Sequence, residues 1–147
     1  MSQRSKGGGS QRPLAPPPRP DRLRSLPSQP FGWIAAGLHR RGWLRLLDCE
    51  AVAAYTFLCL AADRSGVSYY RRERIGRELG LSDAQVHRAL KRLEDLDLVA
   101  YRPFRPGVAD GYRQVLSLPP GEAPALANKL VTDLAARLGH LPPDVTR

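Results

Sequence analysis

Polar and basic side chains recur on one side of the segment from residue 82 to residue 96. Val86, Leu90 and Leu93 stand at the i, i+4 and i+7 positions of this segment, which predicts a helix over 83–96 with one buried stripe. Amide, imidazole, guanidinium and ammonium groups face away from that stripe on a helical wheel: Gln85, His87, Arg88, Lys91 and Arg92. Guanidinium groups form paired hydrogen bonds with phosphate and with guanine. The chemistry open to this surface is therefore hydrogen-bonded recognition of a polyanion.

The composition of the chain favours the same class of partner. The 147 residues carry a formal charge of +9, and a basic balance of this size favours nucleic acid first and an anionic membrane second. Arginine accounts for 20 of the 23 basic residues, which suits contacts with phosphate and guanine. A GC-rich genome also favours arginine codons, so both explanations of the arginine excess stay open.

The sequence offers no constellation for covalent catalysis or metal binding. It contains no nucleophile elbow, no glycine-rich nucleotide loop and no histidine–carboxylate pair at useful spacing, so we expect a non-enzymatic protein without a cofactor. His39, His87 and His140 share no metal-ligand spacing, which predicts that no metal is bound. The apolar stretch 51–62 is too short to cross a bilayer, and no secretory signal is visible. We expect a cytoplasmic, nucleoid-associated protein with no membrane partner.

Composition divides the chain into three segments, 1–30, 31–120 and 121–147. The first segment is rich in Gly, Ser, Pro and Arg and has no hydrophobic period, which predicts a disordered basic arm. Its formal charge is +5, from six cations and one acid: Arg4, Lys6, Arg12, Arg19, Arg22 and Arg24 against Asp21. Two roles stay open for the arm: contact with phosphates or with a minor groove, and an inert solubilising tail.

The middle segment is predicted to fold around a central helix. Asp48 is expected to cap a helix over 49–63, and Gly66 is expected to end it. Apolar residues lie on nearly every side of this helix, as in a helix buried at the centre of a domain.

Two tryptophans and two cysteines are also predicted to lie in the core. Trp33 and Trp43 are expected to be buried. Cys49 and Cys59 lie ten residues apart on one helix, so they point away from each other and a disulfide between them is geometrically poor. They are therefore predicted to be buried free thiols.

Two further helices joined by a tight turn carry the polar surface. The first is predicted over 72–79 and presents Gly76, which is small enough for the second helix to cross it. Gly80 tolerates the positive φ that the turn requires. Ser82 and Gln85 are spaced as a capping box for the second helix.

Three strands and a last helix complete the prediction. The strands are expected at 67–70, 98–102 and 112–118, with Asp110 and Gly111 as a turn pair between the last two. The last segment is predicted to form an amphipathic helix over about 123–138 with four leucines on one side: Leu126, Leu130, Leu134 and Leu138. This helix either folds back on its own domain or meets a second copy of the chain, which would form a homodimer or a larger nucleoprotein assembly.

The segment Arg72 to Lys91, RERIGRELGLSDAQVHRALK, resembles the helix-turn-helix of winged-helix DNA-binding proteins. The order of elements over about 48–118 resembles the whole winged-helix domain. Within that superfamily the chain is similar to bacterial regulators, to N-terminal domains of phage and plasmid replication proteins, and to small proteins encoded beside transposases. The fold implied is mainly α with a small β-hairpin wing, a disordered basic N-terminal arm and a C-terminal amphipathic helix.

The resemblance also implies a double-stranded DNA partner and a role for each basic residue. The helix 83–96 would enter the major groove, with Gln85 pairing with adenine, Arg88 with guanine, and Lys91 and Arg92 lying near phosphates. The implied reading-helix contacts are Ser82, Gln85, His87, Arg88, Lys91 and Arg92. The implied backbone and wing contacts are Arg71, Arg72, Arg74, Arg102, Arg105 and Arg113. The implied arm contacts are Arg12, Arg19, Arg22 and Arg24.

Two functions follow, and they belong to different classes. The first is a transcriptional regulator or the DNA-recognition factor of a mobile-element or replication system. The alternative is an adaptor that holds protein partners through its winged helix and its terminal leucine helix, since winged helices also mediate protein–protein contacts.

Overall fold

A computed structural model describes residues 15–124 and Gly139. The chain divides into two compact units, Met1–Pro30 and Phe31–Arg147. In the described part of the first unit every residue is exposed, and one short 3-10 turn, Pro20–Arg22, interrupts an otherwise irregular segment. Arg19 precedes this turn and pairs with Asp21 at 2.6 Å.

The second unit contains helices and a three-stranded antiparallel sheet. Its described elements, in chain order, are α1 Gly37–Arg40, a 3-10 turn Trp43–Leu46, α2 Cys49–Ala61, β1 Val67–Ser68, α3 Arg72–Leu79, α4 Asp83–Asp95, β2 Val99–Pro103 and β3 Gly111–Val115. The strand order is β1-β3-β2. β1 pairs with the edge of β3 that β2 leaves free, which extends the predicted hairpin to three strands. The domain is thus mixed α and β.

α2 lies at the centre of the core, as its all-round apolar sequence predicted. Its N-cap is Asp48, whose carboxylate accepts a hydrogen bond from the Ala51 backbone N–H at 2.8 Å. Fully buried Leu58 belongs to the same core cluster as Ile75 of α3 and Leu90 of α4. Burial of such side chains contributes roughly 1.5–3 kcal/mol each.

The predicted end of α2 is wrong. The helix ends at Ala61, and Ala62 already has extended backbone angles. Gly66 therefore does not stop the helix. It lies in the turn before β1, where its carbonyl accepts a hydrogen bond from the Val115 N–H of β3 at 2.8 Å.

The predicted core is half right for the tryptophans and half right for the thiols. Trp43 is 2% exposed, but Trp33 is 75% exposed. Gly32 packs directly on the α2 backbone at Cys59, and the neighbouring Trp33 is left facing solvent. Cys59 is buried and free, whereas Cys49 is exposed because it is the first residue of α2.

The corner between α3 and α4 follows the predicted chemistry closely. Gly80 adopts left-handed angles, with φ +67° and ψ +32°. A Cβ atom on Gly76 would lie 2.8 Å from the Leu81 carbonyl oxygen, so only glycine lets α3 pack this closely against the turn before α4. Ser82 and Gln85 form the predicted capping box in both directions.

α4 ends in a Schellman motif that uses an aspartate where glycine is usual. The Leu98 N–H donates to the Leu93 carbonyl, and the Asp97 N–H donates to the Glu94 carbonyl, both at 3.0 Å. Asp97 has φ +59°. A residue with a Cβ atom is strained in this region.

β2 and β3 form the hairpin that we call the wing, with residues 104–110 as its loop. Val99 pairs with Val115, and Pro103 pairs with Gly111. The predicted Asp110-Gly111 turn is wrong, because Gly111 already belongs to β3. Asp110 instead accepts a hydrogen bond from the Arg72 backbone N–H at 3.0 Å, which ties the loop to the start of α3.

The predicted C-terminal helix and its four leucines lie outside the described residues. In the part of the chain that the structure describes, no helix is long and apolar enough to span a membrane.

Candidate nucleic-acid interface

α4 has one packed side and one exposed side, as its spacing predicted. Val86, Ala89, Leu90 and Leu93 are buried in the core. The exposed residues of its opposite side are Ala84, His87, Arg88, Lys91 and Arg92. These side chains differ in how many of their hydrogen-bonding groups are already used within the domain.

Gln85 uses both ends of its side-chain amide inside the domain. Its Oε1 accepts from the Ser82 backbone N–H at 2.9 Å, and its Nε2 donates to Glu50 Oε1 at 2.8 Å. The Ser82 hydroxyl accepts from the Gln85 backbone N–H at 3.2 Å. Pairing with adenine requires the same two amide groups. The structure therefore places Ser82 and Gln85 in capping and helix packing, and not at a free base-reading position.

Arg88 is the most available guanidinium group on α4. Its side chain is 68% exposed, and its contact with Glu50 is long, at 3.7 Å. Lys91 is also exposed and pairs with Asp95 one turn later at 3.2 Å. Exposed pairs of this kind contribute at most about 1 kcal/mol, so either cation can exchange its partner for a phosphate or a base.

Arg92 has a structural contact in place of the predicted free phosphate contact. Its Nε and Nη2 atoms both donate to the Leu46 carbonyl, each at 3.1 Å. This carbonyl belongs to the last residue of the 3-10 turn, so the guanidinium joins the turn to α4.

The arginines of α3 are paired, one of them with a residue of α4. Arg72 donates to His87 Nδ1 at 3.0 Å. Because a guanidinium can only donate, this contact requires Nδ1 of His87 to be an acceptor. Arg74 pairs with Glu78 at 2.9 Å. Arg71, just before α3, lies over the Phe104 ring of the wing loop at 5.4 Å.

Arg113 contradicts the prediction of a wing contact. It is 4% exposed and lies over the Tyr101 ring at 5.2 Å. On β3 it shares its parity with buried Gly111, so its side chain faces inward. Burial lowers the pKa of Arg113, while the carboxylates of Asp110 and Glu94 act in the opposite direction.

The other two predicted wing contacts are exposed but lie apart from that inward face. Arg102 pairs in register with Tyr112, whereas Tyr101 pairs with Arg113. Successive side chains on a strand point to opposite faces, so Arg102 faces away from the side that Arg113 occupies. Arg105 is exposed in the wing loop.

The arm residues Arg19, Arg22 and Arg24 are all exposed. Arg19 hydrogen bonds with Asp21, which lowers the pKa of that carboxyl. Arg12 lies outside the described residues.

Two concave features were missed by sequence reasoning. A small cavity joins α3, α4 and the wing around Arg72 and Arg113. Gly111, Arg113 and Val115 alternate along β3 and so point to the same face of the strand. This alternation was the sequence signal that could have indicated the inward face of β3. A larger cleft, about 820 Å³, lies beside Trp33, Tyr55 and Leu118. Nothing in the local sequence indicates this cleft, because it is formed by segments distant along the chain.

Among the residues described, no group of three or more His, Cys, Asp or Glu side chains is arranged to hold a metal ion. No protein-family model, curated protein or solved structure matches this chain.

Proposed function

We propose that this domain is a winged helix-turn-helix that binds double-stranded DNA with α4 in the major groove. In this role it acts as a transcriptional regulator or as the DNA-recognition factor of a mobile-element or replication system. The observation that carries the proposal is the exposed pair Arg88 and Lys91 on α4, opposite its packed stripe, in a helix corner built around Gly76 and Gly80. The hairpin that follows and the formal charge of +9 support it.

The proposed roles follow the availability of each side chain. Arg88 reads guanine, because its guanidinium is exposed and held only by a long ion pair. Lys91 contacts a phosphate as a point charge. Arg102 and Arg105 contact the backbone beside the groove. Gln85 holds α4 to Glu50 and serves recognition only by positioning the helix.

The decisive test compares Arg88→Ala with Arg64→Ala on DNA. Arg64 is an exposed arginine in the turn after α2 and does not belong to α3, α4 or the wing. Its loss therefore removes the same charge without changing the proposed reading surface. Oligonucleotides selected from a random pool by the natural protein provide the preferred duplex. We expect Arg88→Ala to weaken binding to that duplex by about 1–3 kcal/mol, and to weaken binding to random duplexes by less.

Salt dependence supplies the second measurement. The logarithm of duplex affinity should fall steeply and linearly with the logarithm of salt concentration, since several phosphates are neutralised. A flat profile, or equal losses for Arg88→Ala and Arg64→Ala on the selected duplex, would contradict the proposal.

A protein-binding adaptor is the second candidate, and one surface favours it. Phe31, Trp33 and Leu60 are 57%, 75% and 64% exposed, and large exposed apolar groups mark interaction sites when they lie together. Under this alternative, Trp33→Ser with Leu60→Ser abolishes partner binding while Arg88→Ala does not. Sedimentation at micromolar concentration distinguishes a single chain from the homodimer.

A further inference from the structure

The face of the sheet that points away from the core carries a cluster of aromatic rings. Ser68 and Arg113 pair in register and are both buried. Their neighbours Tyr69 and Tyr112 therefore point to the opposite, outer face, where their ring centroids are 5.5 Å apart. The Phe104 ring of the wing loop lies 6.2 Å from the Tyr112 ring. We call Tyr69, Tyr112 and Phe104 the aromatic cluster.

Tyr69 is the ring of the cluster with the most free surface. It is 60% exposed, whereas Tyr112 and Phe104 are partly buried. An aromatic ring stabilises a fold mainly through the area that it buries, so most of the Tyr69 ring contributes nothing to the stability of the domain. Large exposed apolar groups that lie together mark interaction sites.

Two arginines border the aromatic cluster. Arg102 pairs in register with Tyr112, and residues directly opposite each other on neighbouring strands share a face of the sheet. The guanidinium of Arg71 lies over the Phe104 ring at 5.4 Å. Both arginines are exposed. Among the residues that the structure describes, neither of them belongs to an ion pair. Their charges therefore remain free to attract an anion.

We infer that this face binds single-stranded DNA, with an unpaired base stacked on Tyr69 and neighbouring phosphates contacted by Arg71 and Arg102. Aromatic rings beside basic groups match a strand that has flat bases and a charged backbone. A base inside a duplex has both of its flat faces covered by neighbouring bases, so the cluster serves a different substrate from α4. The inference goes beyond the proposed function and shares only Arg102 with it. The choice of DNA over RNA rests on that function, but the stacking does not.

Two oligonucleotides of equal length and charge test the role of the bases. One contains about ten thymidines, within the range of strand lengths that single-strand binding sites cover, and the other has the same backbone with abasic sugars. Fluorescence anisotropy of labelled oligomers measures their affinities for the full chain. We expect the natural chain to bind the thymidine oligomer about fivefold more tightly or better, which is the contribution of one stacked base.

Replacement of Tyr69 separates stacking from charge. Tyr69→Leu removes the ring and should weaken binding to the thymidine oligomer about fivefold or more, while its affinity for the abasic oligomer stays unchanged. Tyr69→Phe keeps the ring and should bind as the natural chain does. Phe31→Leu is the matched control, because it removes an exposed ring that lies before α1 and outside the sheet. The unfolding temperature shows whether each variant is folded.

Replacement of Arg71 tests the phosphate contact. Arg71→Gln should weaken binding to the thymidine oligomer and to the abasic oligomer by the same factor, since both carry the same phosphates. Arg64→Gln is the control for the loss of one exposed charge, and a loss as large as that of Arg71→Gln would remove Arg71 from the site.

The inference is overturned if the natural chain binds the two oligomers equally, or if Tyr69→Leu and Phe31→Leu lose the same affinity. A loss of affinity of Tyr69→Leu for the abasic oligomer would assign the ring to folding and would also contradict it. Tighter binding of a uridine oligomer would contradict the choice of DNA. The selected duplex keeps the two proposals apart, because Tyr69→Leu should bind it normally. Base-dependent strand binding without duplex binding would refute the proposed function alone.

Discussion

At the scale of single residues, the predicted reading surface separates into side chains that are available and side chains that hold the domain together. Arg88 and Lys91 are exposed with weak partners, whereas Gln85 and Arg92 contact groups from elsewhere in the domain. Sequence spacing can identify the exposed side of a helix. It cannot identify Glu50 or the Leu46 carbonyl as partners, because these groups reach α4 only through tertiary packing.

Replacement of Gln85 by Ala should therefore reduce stability and leave base preference unchanged. The change removes the reciprocal half of the capping box and the bond to Glu50, for which we expect a loss of about 1–2 kcal/mol. Urea unfolding measures the stability, and selection from a random duplex pool measures the preference. Lys91→Ala is the exposed control on the same helix, and a changed consensus sequence for Gln85→Ala would restore its role in base reading.

Tyr55 makes the stability of the domain sensitive to alkaline pH. It is 3% exposed, and burial, with a smaller contribution from Cys59, raises its pKa from 10.0 to about 12. The raised pKa means that stability is fully present below pH 10 and is lost as pH rises towards 12. We expect a loss of about 2 kcal/mol by pH 12.

Urea midpoints between pH 8 and pH 12 measure this loss. Tyr55→Phe is the control and should flatten the alkaline part of the profile. The remaining slope should include Cys59, whose thiol pKa is also raised by burial. An unchanged slope in Tyr55→Phe would exclude Tyr55 as the titrating group.

At the scale of secondary-structure elements, the corner between α3 and α4 was predictable and the inward face of the wing was not. Gly80 and the Ser82–Gln85 capping box depend on local backbone chemistry, and the structure places both as predicted. The orientation of Arg113 depends on the register between β2 and β3 and on the ring of Tyr101. Exposed Trp33 likewise depends on how its segment meets α2.

The C-terminal end of α4 offers a stabilising substitution. Asp97 adopts φ +59°, a conformation that glycine accepts without the steric cost of a Cβ atom. Asp97→Gly also removes a negative charge beside the negative end of the helix dipole. The left-handed conformation costs a residue with a Cβ atom about 1–2 kcal/mol, and glycine adds unfolded-chain entropy worth about 0.4–1 kcal/mol. We therefore expect the free energy of unfolding to rise by about 0.5–1 kcal/mol. Thermal or urea unfolding measures this change. Asp97→Ala is the control and should be less stable than Asp97→Gly. A loss of stability in the glycine variant would refute the strain argument.

At the scale of the whole molecule, charge is distributed unevenly along the chain. The arm, residues 1–30, carries +5 of the formal charge of +9. It therefore carries more than half of the formal charge that would attract a polyanion, although the proposed reading residues all lie in the second unit.

Deletion of residues 1–30 should weaken binding to all duplexes to the same extent. Because non-specific phosphate contacts would be lost, the slope of log affinity against log salt should decrease by about 0.9 for each contact removed. Circular dichroism confirms that the remaining chain is folded. A full-length variant with Arg12, Arg19, Arg22 and Arg24 replaced by Gln separates charge from length. An unchanged slope in both proteins would identify the arm as an inert tail.

The exposed position of Cys49 at the start of α2 has a practical consequence. The chain has two cysteines, and the other is shielded in the core, so a maleimide dye or nitroxide will attach to Cys49 without any engineered site. The attached probe sits next in sequence to Glu50, the carboxylate that meets both Gln85 and Arg88. The natural sequence thus allows a probe to be placed beside α4. The fluorescence of an attached dye, or the spectral line shape of an attached nitroxide, can then follow ligand binding in real time.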